Sequence, residues 1–206
     1  MDSLADTENS APLTEGLETL RISEIVLKTS RFEAVRNWYV DALGVKPFYE
    51  NKPEIVGGKD GEFLRASDVR LCFIRIHMDY PYTQILGIFE VPALERNEPQ
   101  DPGLHHMQFR HSSLSALIDR YDRFTEAGWE PHRTANHGPS TSFYYHDPDG
   151  NNVEFSGPNY ETEEEYLGYM SSEAFRNNPS GIEIDVEEYV TRFKSGVPQS
   201  ELVRIG

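Results

Sequence analysis

One pattern constrains this chain more than any other: a strand and a helix occur twice, 82 positions apart, each time followed by a glycine stop. The segment Ile22-Ser23-Glu24-Ile25-Val26-Leu27-Lys28-Thr29 is short and rich in β-branched residues, a strand signal. It aligns with Leu104-His105-His106-Met107-Gln108-Phe109-Arg110-His111. Ser30, with Glu33 three residues on, has the capping-box pattern of a helix start and falls on Ser112. Phe32, Val35, Trp38, Tyr39 and Leu43 then recur at helical spacing until Gly44 stops the helix. Phe32 falls on Leu114, Val35 on Leu117 and Tyr39 on Tyr121, and the second helix stops at Gly128. A shared strand, cap, helix and stop mark an internal repeat.

The repeat predicts an α+β fold of two βαβββ modules, forming a curved mixed sheet around a central cavity. Residues 21–77 form the first module, with further strands at Val45–Glu50, Gly61–Ala66 and Val69–His77. Residues 103–157 form the second, which closes with the strand Thr141–Tyr145, the turn Asp147-Pro148-Asp149-Gly150 and the strand Asn152–Ser156. Residues 1–20 read as a loose acidic tail. Proline-rich residues 78–102 read as a linker, and residues 158–206 as a helical extension. That extension starts with an acidic helix at Glu161–Met170 and has another near Val186–Phe193. It is expected to pack outside the core or across a dimer interface.

Charge narrows the partners. The net charge is −16, with 19 basic residues scattered among 35 acidic ones, which argues against nucleic acid and anionic membrane surfaces. No 18-residue apolar stretch or signal-peptide pattern occurs, so a cytoplasmic location is the expectation. The single cysteine, Cys72, lies in an apolar run and reads as a buried structural thiol without a base partner. No nucleophile elbow, phosphate loop or dinucleotide fingerprint is present.

Side chains alternate along strands, so Glu24 and His106, at equivalent repeat positions, should face one interior. Glu154, between Val153 and Phe155 on the last strand, is costly there without a metal, a proton or a donor. His105 should point the other way. His77, His111, His132 and His146 are expected at the surface, and Trp38 and Trp129 in core or dimer packing.

These motifs resemble the vicinal oxygen chelate superfamily, which includes glyoxalases, bleomycin- and fosfomycin-resistance proteins and extradiol ring-cleaving dioxygenases. Gly103-Leu104-His105-His106-Met107-Gln108-Phe109 resembles its second-module metal strand, and Asp147-Pro148-Asp149-Gly150-Asn151-Asn152-Val153-Glu154-Phe155 its last hairpin. Asn136-His137-Gly138-Pro139 and Ser142-Phe143-Tyr144 resemble the stretch where extradiol members keep a pocket histidine and tyrosine. The resemblance extends from Arg21 to Leu202 and is to small biphenyl-diol dioxygenase-like proteins. It implies His106 and Glu154 as metal ligands and His137 and Tyr144 as pocket residues, with a homodimer as the assembly.

Glu24 departs from this pattern, since ring-cleaving relatives have a histidine at its position. A divalent metal (iron, manganese, zinc or nickel) would then be held by Glu24, His106 and Glu154. Two carboxylates cancel the ion's charge, which counts against chelating a catecholate. Without a cofactor, the same residues suit acid–base work: paired carboxylates separate their pKa values and His106 shuttles protons. The resemblance and the substitution together imply a lyase- or isomerase-type enzyme of natural-product biosynthesis. Its expected chemistry is dehydration, isomerisation or cyclisation of a phenolic small molecule through a quinone-methide-like intermediate. An extradiol dioxygenase and a ligand-sequestering binding protein are the alternatives.

Overall fold

The computed structural model describes residues 20–53, 66, 68–92, 94 and 103–205. The expected tail lies almost wholly outside these residues, as does the strand expected at Gly61–Ala66. The first module contains β1 (Glu24–Thr29), α1 (Phe32–Leu43), β2 (Tyr49–Glu50), β3 (Leu71–Asp79) and β4 (Tyr82–Glu90). The second contains β5 (Met107–Arg110), α2 (Leu114–Glu126), β6 (Arg133–Asn136), β7 (Ser140–His146) and β8 (Asn152–Pro158). The extension adds α3 (Glu163–Met170), α4 (Glu173–Asn177), β9 (Ile182–Glu183), α5 (Val186–Lys194) and α6 (Gln199–Leu202). Among the described residues, no helix is long and apolar enough to cross a membrane.

Each module forms its own mixed sheet, in the orders β1-β4-β3-β2 and β5-β8-β7-β6-β9. The first strand of each module pairs in parallel with the last, as β1 with β4 and β5 with β8. This corrects the expected linker: residues 82–90 are a strand interior to the first sheet, hydrogen-bonded on both sides. The run Ile85-Leu86-Gly87-Ile88-Phe89 can bury one face, and the prolines lie outside it.

Strand register repeats along with the elements. Gly87 lies between Val26 and Phe73, and Glu154 holds the matching place between Gln108 and Tyr144. In the first sheet the absent side chain leaves room for the Phe73 ring, since a Cβ on Gly87 would sit 3.2 Å from it.

Helices cover one side of each sheet. Phe32, Val35 and Tyr39 of α1 pack into the same core cluster as Cys72, Ile74, Leu86 and Ile88. Leu114, Leu117, Ile118 and Phe124 of α2 join Phe143, Val153 and Phe155 in that cluster. Burial of each such side chain stabilises the fold by roughly 1.5–3 kcal/mol. Trp38 and Trp129 stack with centroids 5.3 Å apart and join the modules. Tyr189, Val190 and Leu202 of the extension are buried in the same core.

The first helix starts one residue later than the capping-box reading. Its N-cap is Arg31, which makes no side-chain cap bond, and the buried Thr29 hydroxyl accepts the Arg31 N–H instead. The equivalent N-cap of α2 is Ser113, whose hydroxyl accepts from the Ala116 amide. The repeat therefore fixes where the helices begin, while only the second uses a side chain to do it.

Candidate active site

Glu154 is the anchor. It is 2% exposed, on the face of β8 opposite the one that Val153 and Phe155 turn toward α2. Its Oε1 accepts from the Gln108 amide at 2.7 Å, and its Oε2 lies 3.1 Å from His106 Nε2. A buried carboxylate is tolerated because both oxygens have partners. The parallel β5–β8 register brings Gln108 opposite Glu154 and His106 two residues earlier on the same face.

A second chain of groups meets the first at Tyr144, which faces Glu154 across the β7–β8 pair. Burial, then the charge of Glu154, pushes the Tyr144 phenol up to about 12, so it holds its proton at neutral pH. The Tyr144 hydroxyl lies 2.9 Å from His137 Nε2, and His137 Nδ1 is 2.8 Å from the Ser180 carbonyl oxygen. The Arg133 guanidinium lies 5.1 Å from the centroid of the Tyr144 ring. Four of the five expected residues, His106, Glu154, Tyr144 and His137, thus lie together.

Glu24 does not join them. It is exposed on β1, and its cross-strand partner is Ile85. The strand carrying its module's equivalent of Glu154 offers Gly87, so no carboxylate pair forms there. Among the described residues, no three His, Cys, Asp or Glu side chains stand together in a way that could hold a metal ion.

One other expectation changes, that for His111, while His105, His132 and His146 keep their expected exposure. His105 is exposed as expected, and its Nδ1 lies 2.7 Å from His106 Nδ1. One of those nitrogens must donate and the other accept. His111 is half-buried instead of exposed: its Nε2 accepts from Arg120 at 2.9 Å, and burial, then Arg120, pushes its pKa down to about 4. The exposed His132 and His146 rings stack with centroids 3.9 Å apart. Two clefts elsewhere, about 400 Å³ beside α3 and α6 and about 670 Å³ between α1 and α2, touch none of the four site residues.

The profile of the Glyoxalase/Bleomycin resistance protein/Dioxygenase superfamily matches residues 21–155. The chain belongs to this superfamily. Biphenyl-2,3-diol 1,2-dioxygenase 2 of Rhodococcus globerulus is 33% identical over 180 residues, 87% of this chain and 85% of that one. Biphenyl-2,3-diol 1,2-dioxygenase 3 of the same organism is 32% identical over 186 residues, covering 89% and 87%. The glyoxylase/bleomycin resistance protein/dioxygenase domain from Frankia sp. EAN1pec superimposes with a TM-score of 0.51 at 15% identity, over 68% of this chain and 99% of that domain. That likeness shows the superfamily fold.

A mononuclear iron(II) site of the ring-cleaving type asks for two imidazoles and one carboxylate. His106 and Glu154 supply one of each. The remaining place belongs to Glu24, which brings the wrong donor and stands apart from the pair. The residues do not fit that centre.

Proposed function

We propose that this superfamily member is an enzyme that moves protons on a phenolic small molecule, in dehydration, isomerisation or cyclisation. The carrying observation is that two proton-bearing chains converge on one strand pair. One runs from exposed His105 through His106 to buried Glu154; the other runs from Tyr144 to His137. In the forward step a substrate phenol gives its proton to the Tyr144 oxygen as the Tyr144 hydroxyl proton passes to His137 Nε2. This leaves a substrate phenolate and a His137 imidazolium. Glu154 and His106, on the facing strands, take up or return the second proton of the reaction. His105 connects that pair to solvent.

Mass analysis of products from a panel of phenols and catechols tests this reading, with and without added iron(II) and a chelator. Products of unchanged mass, or lacking one water, formed in the presence of chelator are expected. A second reading, ring opening of an aromatic diol, is favoured by the names of the two Rhodococcus relatives. Products carrying two added oxygen atoms, formed only with stoichiometric iron, would establish that reading and overturn the first.

A further inference from the structure

Residues beyond 158 lie outside the superfamily profile, yet they fasten the side of the His137 segment that β7 leaves free. Strand β9 pairs with β6, placing Ile182 opposite Asn136 and Glu183 opposite Ala135. Thr134 donates its hydroxyl to the Ile184 carbonyl at 2.5 Å, and the Asn136 amide donates to the Val203 carbonyl at 2.9 Å. The Tyr169 ring packs against Gly138 where a side chain would otherwise stand. Gly181, at φ +73°, lets the chain pass so close that a Cβ there would collide with the Asn136 carbonyl oxygen and His137 Cα.

This close passage delivers the Ser180 carbonyl oxygen to His137 Nδ1 at 2.8 Å. A carbonyl oxygen can only accept, so Nδ1 must carry the hydrogen. In a neutral imidazole that leaves Nε2 bare, and Nε2 is the atom 2.9 Å from the Tyr144 hydroxyl. We propose that the C-terminal extension is a positioning element of the site: the Ser180 carbonyl, held by Gly181, locks His137 as its Nδ1–H tautomer. Nε2 is then kept ready for the Tyr144 proton. The role in turnover rests on the functional reading above; the tautomer itself does not.

Nitrogen-15 NMR of the full chain reads the tautomer directly. The expected spectrum shows His137 protonated at Nδ1 and bare at Nε2 when neutral. A predominantly Nε2–H ring in the unaltered protein would overturn the proposal at once. Gly181→Ala is expected to give a mixture of tautomers, and roughly a ten- to hundred-fold loss of kcat, as for other groups that orient an imidazole. Ser180→Ala keeps the Nδ1–H signal, because the acceptor belongs to the main chain. If Gly181→Ala does not fold, Asn178→Ala loosens the same turn by removing the bond from its amide to the Gly181 carbonyl, 2.8 Å long. A folded turn variant with an unchanged His137 spectrum sinks the proposal. A correct tautomer in a protein that turns over no phenol would instead sink the functional reading and leave this one standing.

Discussion

Tyr39 of α1 donates its hydroxyl hydrogen to Asp147 Oδ2 across 3.0 Å, tying the first module to the turn that launches β8 and Glu154. Asp147 also accepts from the amides of Asp149 and Asn151 and from the Asn151 side chain. Tyr39→Phe leaves those three bonds in place and is expected to cost about 1 kcal/mol. Tyr39→Ala also opens a cavity, because the ring is fully buried, and is expected to cost roughly 3–5 kcal/mol. Urea denaturation of both variants measures the difference.

Chemistry should depend on Glu154 far more than on Glu24. Glu154→Gln keeps the shape and removes the charge that faces His106, so a loss of about a hundred-fold or more in kcat is expected. Glu24→Gln alters an exposed side chain outside the His106–Glu154 pair, and a change of less than about three-fold is expected for that reason. Steady-state kinetics on one active phenol compares them. Equal losses would place Glu24 back in the site.

His111 makes stability depend on pH. Its folded pKa, about 4, lies below the ordinary value of 6.5, so the unfolded chain binds more protons between those limits. Stability is therefore full above pH 6.5 and falls as pH drops toward 4. The half-buried ring limits the loss to on the order of 1–2 kcal/mol. Melting curves between pH 4 and 7 should show a shallower slope for His111→Gln.

Two glycines without positive φ should respond differently to a methyl group. At Gly157 an added Cβ meets main chain at the start of α2, 3.1 Å from Leu114 Cα and from the Ser113 carbonyl oxygen. Those atoms cannot turn aside, and roughly 1–3 kcal/mol of destabilisation is expected for Gly157→Ala. At Gly87 the nearest atoms belong to the Val26 and Phe73 side chains, which can rotate. Gly87→Ala should cost less in the same thermal-shift comparison.

Much of this architecture is legible in the sequence because it is periodic. Strand alternation and the repeat locate His106, and the last hairpin locates Glu154, since both depend on local pattern. Glu24 misleads for an instructive reason. Repeat equivalence fixes its place on β1 but says nothing of the residue across from it, and the place matching Glu154 is filled by Gly87. Strand β4 is hidden by the prolines around an otherwise clear apolar run. Partners far apart in sequence leave no local trace: Ser180 stands 43 residues from His137, and only the folded chain brings them together.

The long reach to Ser180 also orders events in time. Synthesis from the N-terminus lets early parts of a chain fold first, at about 5–20 residues per second. Both βαβββ modules can therefore emerge and pack while His137 still lacks its Nδ1 acceptor and Asn136 still lacks Val203. A chain halted between the second module and β9 would hold every side chain of the site and leave its relay slack. The reagents come first, and their alignment arrives with the extension.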